Sequence, residues 1–118
     1  MEEIKMASLY LREQKIINHL EVAESFVDRG IGLLNHSTLL IDQAMWIKPC
    51  NNIHTFFMKF RIDCVFLNKE LVIVSLFKNV RPFRVILPQW KANSVIEFSA
   101  GVIDKFDMKI GEQLHVGD

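Results

Sequence analysis

The sequence predicts an α+β domain dominated by strands, and three features predict it. Residues 56–67 alternate in character. Phe56, Met58, Phe60, Ile62, Cys64 and Phe66 fall on one face of an extended chain, and Phe57, Lys59, Arg61, Asp63, Val65 and Leu67 fall on the other. The polar run Asn68-Lys69-Glu70 then separates this segment from the apolar run 71–77, which is the pattern of a hairpin. Helical signals are short: Ser25, with Asp28 three positions on, resembles a capping box and opens a helix of roughly ten residues.

The other elements follow in order. Leu9 and Leu11, then Ile16, Ile17, Leu20 and Val22, mark two strands joined through Arg12-Glu13-Gln14-Lys15. Gly30 and Gly32 weaken the first helix, and close approach of another backbone is a physical reason for glycine there; Gly32 is expected at a buried helix–sheet contact. Asn35-His36-Ser37-Thr38 forms the exit loop. Ala44-Met45-Trp46-Ile47 is a strand that Lys48-Pro49 stops. The run 71–77 is continuous rather than alternating, so it is expected to be covered on both faces. Pro82 and Pro88 bracket irregular chain around Val85-Ile86-Leu87. Ser94-Val95-Ile96-Glu97-Phe98 is a further strand, and Ser99-Ala100-Gly101 turns it. Val102, Ile103 and Phe106 form one face of a two-turn helix, and Gln113-Leu114-His115-Val116 is the last strand.

Composition bounds the function. The chain has 118 residues, half of them apolar, which suits one domain over residues 1–118 with a core that needs no disulfide or structural metal. Fourteen Lys plus Arg balance fourteen Asp plus Glu. A nucleic-acid binder usually presents a basic field, so no nucleic-acid partner is expected. The one basic cluster, Lys78, Arg81 and Arg84, is interrupted by Phe77, Val80 and Phe83 and reads as a solvated loop. The first residues carry early acidic groups and no apolar run of export-signal length, and no stretch is long enough to span a bilayer. A soluble, cytoplasmic protein with Cys50 and Cys64 as thiols is the expectation.

The residues able to carry chemistry are His54, Lys59, Arg61, Asp63 and Glu97. Lys59 and Asp63 share a predicted strand face roughly 13 Å apart, and a neighbouring strand could bring Glu97 between them. Such a set would line a polar pocket on the non-core side of the sheet. The competing reading is that Asp63 and Glu97 accept hydrogen bonds from backbone groups or Arg29 and lock turns. Cys50, His54, Asp63 and Glu97 are possible metal ligands by type, but no two have a ligand-pair spacing, so neither a metal nor a cofactor is expected. Ser94, Ser99 and Cys50 lack a nucleophile elbow, no glycine-rich phosphate loop is present, and the phenylalanines of 56–66 read as core rather than as a base-stacking platform.

From about Leu20 onward the order of segments resembles a known group, domain-of-unknown-function family 192. Arg29-Gly30-Ile31-Gly32-Leu33-Leu34 resembles its early arginine–glycine–leucine segment. Ile47-Lys48-Pro49-Cys50-Asn51-Asn52-Ile53-His54-Thr55-Phe56-Phe57-Met58 is similar to a form found in one branch, and His54 to Met58 is its most specific piece. Ile62-Asp63-Cys64-Val65-Phe66-Leu67 resembles its aspartate-containing strand, and residues 94–101 and 108–112 resemble its closing element. The resemblance implies a compact, barrel-like mixed sheet with two short helices, and no established activity. Many relatives look exported, which this chain does not follow. The closing strand, glycine turn, helix and Gly-acid step is also similar to an element of small crossed-loop barrels, where the acid bonds a neighbouring turn; that likeness speaks to fold alone.

Together these readings point to a non-catalytic accessory domain that binds a small molecule or a protein partner. Its binding residues would be His54, Lys59, Asp63, Glu97 and Arg29. The alternative is a small metal-dependent enzyme or hydrolase using His54, Asp63 and Glu97.

Overall fold

The computed structural model describes residues 5–34 and 36–118. Within them the chain runs β1 (Lys5–Leu11), β2 (Gln14–Ala23), α1 (Phe26–Ile31), β3 (Gln43–Ile47), β4 (Ile53–His54), β5 (Ile62–Leu67), β6 (Ile73–Val80), β7 (Val85–Ile86), β8 (Ser94–Ser99), α2 (Val102–Lys105) and β9 (Leu114–Gly117). Seven strands form one mixed sheet in the order β6-β5-β8-β3-β2-β1-β9, and β4 pairs with β7 as a separate ribbon. The β2–β3 pair is parallel, while the other pairs of the large sheet are antiparallel.

The sheet curls until its two ends touch. Val72 and Gln113 form a single bridge, the Ile73 amide donates to the Glu112 carbonyl (2.8 Å), and the Leu114 amide donates to the Leu71 carbonyl (2.9 Å). Beyond this seam β6 runs on as a free edge. The curl divides the apolar side chains into two cores. Leu9, Leu20, Val65, Ile73, Phe98 and Leu114 come from strands spread across the whole order, yet they form one cluster, so they fill the inside of the curl, with Val102 and Ile103 of α2. Met45, Ile47, Ile62, Cys64, Phe66 and Val95 point outward, where Leu33, Leu39, Ile53, Met58 and Ile86 cover them. Strand β5 therefore has every residue buried, alternating between the two cores, as period-two geometry requires.

Several expectations are corrected. The alternating segment is a strand only from Ile62. Thr55 is buried and bonds the loop between β6 and β7, donating from its hydroxyl to the Arg81 carbonyl (2.7 Å) and from its amide to the Arg84 carbonyl (2.8 Å). Those bonds bend residues 55–61 away from the sheet, so Phe56 and Phe57 are exposed rather than core. The run after the hairpin turn is β6, an edge strand that is mostly half-buried rather than covered on both faces. Helix α1 spans six residues and α2 a single turn. Ser25 does cap α1, accepting from the Asp28 amide (3.0 Å). Gly32 ends this helix at φ 49°, ψ −125°, a conformation open essentially to glycine, and it is half-buried.

The β1–β2 turn is tight. Arg12 and Glu13 both have positive φ (50° and 65°), where short hairpins usually place Asn-Gly. Tertiary contacts hold it: Arg12 donates to Glu112 (2.7 and 3.0 Å) and to the carbonyls of Phe106 (3.0 Å) and Asp107 (2.8 Å). Glu112, the acid after Gly111, thus joins the closing element to a neighbouring turn through a guanidinium.

Candidate functional site

A cleft of about 130 Å³ opens on the outer face of the sheet, under the C-terminal end of α1. Arg29, Gly32 and Leu33 form its roof, Ile47 and Glu97 its floor, and Cys50, Asn52 and His54 its rim. The local chain explains the arrangement. Glu97 lies mid-strand in β8, paired with Cys64 on one side and Met45 on the other, so it points outward into the second core. Gly32 then brings α1 down over it. A β-carbon on Gly32 would lie 3.7 Å from Glu97 Oε1 and 3.7 Å from the Ile47 side chain.

Glu97 is only 4% exposed, and no hydrogen bond or ion pair reaches its carboxyl among the described residues. Burial alone pushes its pKa up to about 7. Arg29 shows the opposite deficiency. One terminal nitrogen donates to the Pro49 carbonyl (3.2 Å), but its buried Nε donates to nothing among the described residues. The Cys50 thiol donates to the Asn52 carbonyl (3.0 Å); burial raises its pKa, and the nearby Glu97 charge acts in the same direction. His54 is exposed, with its ring stacked on Phe56 at 5.3 Å.

Asp63 lies elsewhere. It is 1% exposed and faces the inner core side of the sheet, opposite Phe98 of β8. Its carboxylate accepts from the amides of Asn79 (2.8 Å), Gly101 (3.1 Å) and Ile103 (2.9 Å). It thereby caps α2, whose N-cap residue Gly101 has no side chain to do so, and pins the positive-φ kink at Asn79 in β6.

Comparison with known proteins places the chain. The family model described as "Uncharacterized ACR", DUF192, matches residues 9–116. The chain belongs to the DUF192 family. It is 34% identical over 101 residues to a UPF0127 protein of Thermococcus sibiricus, covering 80% of this chain and 64% of that one. It is 31% identical over 98 residues to a UPF0127 protein of Pyrococcus abyssi, covering 80% and 83%. Its match spans somewhat under two-thirds of the Thermococcus relative. Two crystal structures share the fold. One is a protein of Sinorhizobium meliloti named as a candidate transcription regulator (TM-score 0.85, 16% identity, 98% of this chain and 97% of that one). The other is a protein of unknown function from Novosphingobium aromaticivorans (TM-score 0.80, 14% identity, 95% and 84%). At such identities the likeness concerns the fold alone.

In this DUF192 domain the cleft brings together three of the residues singled out from the sequence: Arg29, His54 and Glu97. It does not include Lys59, Arg61 or Asp63. Lys59 and Arg61 are exposed in the turn before β5, so the expected face shared by Lys59, Asp63 and Glu97 does not form. Sequence reasoning did not place Gly32 and Asn52 at the site. Glycine next to a helix end was the available signal for the first, while nothing local marks the second. Among the described residues no three of His, Cys, Asp and Glu are grouped as metal ligands, and no helix is long and apolar enough to cross a membrane.

Proposed function

We propose that this domain binds a small amphoteric solute in the cleft beneath α1, without transforming it. One observation supports the reading: Arg29 Nε is sealed from solvent without an acceptor among the described residues, and the Glu97 carboxyl, which makes no hydrogen bond among them, faces the same cleft. Leaving such a group unsatisfied costs ~1–3 kcal/mol. A molecule that accepts from Arg29 Nε removes that penalty, and a donor on the same molecule gives the Glu97 carboxyl a partner. The cleft volume suits something the size of a short amino acid or amino amide. The hydrolytic alternative through His54, Asp63 and Glu97 has less behind it, because Asp63 lies on the other side of the sheet with its carboxylate taken up by three amides. The Cys50 thiol is occupied by a backbone carbonyl and its raised pKa keeps it protonated, which makes it a poor nucleophile.

Calorimetric titration with short amino acids, and with matched amines and carboxylates alone, tests the reading. Solutes carrying both groups should bind about tenfold or more tightly than either half alone, and Arg29→Ala or Glu97→Gln should each abolish that advantage. A flat panel, or turnover of any solute, would overturn it.

A further inference from the structure

A second feature adjoins the cleft, whose rim residue His54 stacks on Phe56. The ribbon β4–β7 buries Ile53 and Ile86 against the sheet and turns its alternate residues outward. Phe83, Val85 and Leu87 are 63%, 56% and 71% exposed on one strand and its extensions, and Phe56 and Phe57 are 38% and 75% exposed beside them. The rings touch: Phe83 lies 6.3 Å from Phe56 and 6.4 Å from Phe57. Both tip residues sit in left-handed backbone, at φ 66° for Phe57 and 64° for Phe83, where a bulky ring is disfavoured and Asn or Gly would fit better. Burial of these two rings does not offset that cost. The loops that present them are nonetheless firmly held, because Thr55 accepts from the Phe83 amide (3.0 Å) at its carbonyl and from the Arg84 amide (2.9 Å) at its hydroxyl.

Charge decides what kind of partner fits. Lys59, Arg61, Arg81 and Arg84 are exposed around the aromatic tips and have no ion-pair partner among the described residues. Residues 43–62 and 71–96 contain no Asp or Glu, although the whole chain is neutral. A groove of about 450 Å³ beside the ribbon has Arg81 and Arg84 on its walls, with Phe77, Val85 and Leu87 as its apolar lining. Pairing this face with a second copy of itself would set cation against cation. Single-stranded nucleic acid wants stackable ring faces. Here Phe57 and Phe83 are 70° apart and Phe56 and Phe83 are 43° apart, Phe56 has one face already stacked on His54, and Val85 and Leu87 offer no ring at all. Hydrocarbon is indifferent to ring orientation and accepts aliphatic and aromatic groups alike.

We propose that this end of the molecule docks on an anionic lipid bilayer, with Phe57 and Phe83 entering the headgroup boundary and Lys59, Arg61, Arg81 and Arg84 meeting the lipid phosphates.

Co-sedimentation with phosphatidylcholine vesicles, with and without about one-third phosphatidylserine, tests this. The protein should partition onto the anionic vesicles, weakly onto neutral ones, and less as salt rises. Arg81→Gln with Arg84→Gln should weaken partition by roughly tenfold or more. Phe57→Asn with Phe83→Asn should do the same, while its thermal unfolding midpoint holds or rises because Asn tolerates left-handed backbone. That midpoint separates lost docking from lost folding. No partition onto anionic vesicles would overturn the proposal, as would partition that the Phe pair does not alter. Retention of an oligothymidylate strand, or self-association through the Phe pair, without vesicle binding would overturn it equally.

Discussion

Asp63 and Glu97 occupy adjacent, paired strands yet face opposite sides of the sheet: Asp63 lies across from Phe98, and Glu97 lies across from Cys64. A shift of one residue in register separates their environments by the thickness of the sheet. Asp63 meets three backbone amides on the inner side. Glu97 meets none on the outer side among the described residues. Two buried carboxyls of one strand pair therefore respond to substitution in opposite ways.

Asp63→Asn retains the shape but turns one oxygen, an acceptor of amide hydrogens, into a donor. The variant should lose roughly 1–3 kcal/mol of stability. Urea unfolding of the two proteins measures it. An unchanged midpoint would mean that the amides of Asn79, Gly101 and Ile103 do not depend on the charge.

Glu97 should make stability fall as pH rises. Its pKa is about 7 folded and 4.5 by reference, so between those values the folded chain holds a proton that the unfolded chain has released. The stabilisation is fully present below 4.5 and is lost as pH rises to about 7, a loss of ~3 kcal/mol that is complete above that point. Glu97→Gln mimics the protonated form, so it should flatten this slope and exceed the wild type at pH 8. Thermal melts at pH 5 and pH 8 check it; a wild type equally stable at both, relative to Gln, would contradict the buried, unpaired carboxyl.

Gly32 gives a test of backbone against packing. A β-carbon there meets only ordinary contacts at 3.7 Å, so space permits alanine. The conformation at φ 49°, ψ −125° does not. Gly32→Ala and Gly32→Val should both cost roughly 1–3 kcal/mol. A neutral Ala with a costly Val would make close packing against the sheet, the reason the sequence suggested, the cause instead.

The two thiols should differ towards an alkylating reagent. Cys64 is fully buried, and burial raises its pKa well above the usual range, so it should stay unmodified while the protein is folded. Cys50 lines the cleft and is half-buried, so it should react slowly, faster at higher pH, and more slowly still with a cleft ligand present. Intact-mass analysis over time reads both. Equal labelling of the two cysteines would contradict the packing of β5.

Local pattern made most of the fold legible. Strand β5 follows from apolar alternation, β2, β3 and β8 from short apolar segments bounded by turn signals, and Ser25 with Asp28 marked the start of α1. Asp63 was legible as a buried carboxylate in need of partners, because Ile62 and Cys64 flank it and Val65 and Leu67 share its face. The alternation misled where it continued through residues 56–61, since a turn carrying alternate phenylalanines has the same period as a strand.

By itself the sequence determined which residues are apolar, how they alternate, and therefore that a β-rich α+β domain of this family forms. Tertiary structure alone decided which side of the sheet each polar residue faces across strands. It closed the curl through Val72 and Gln113, so that β5 is buried twice over. It bent residues 55–61 outward through Thr55, and it set Arg29 over Glu97 by ending α1 at Gly32. The physical reason is range. Periodicity is a property of neighbours along the chain, whereas the partners of a buried carboxyl are chosen by strands and loops tens of residues away.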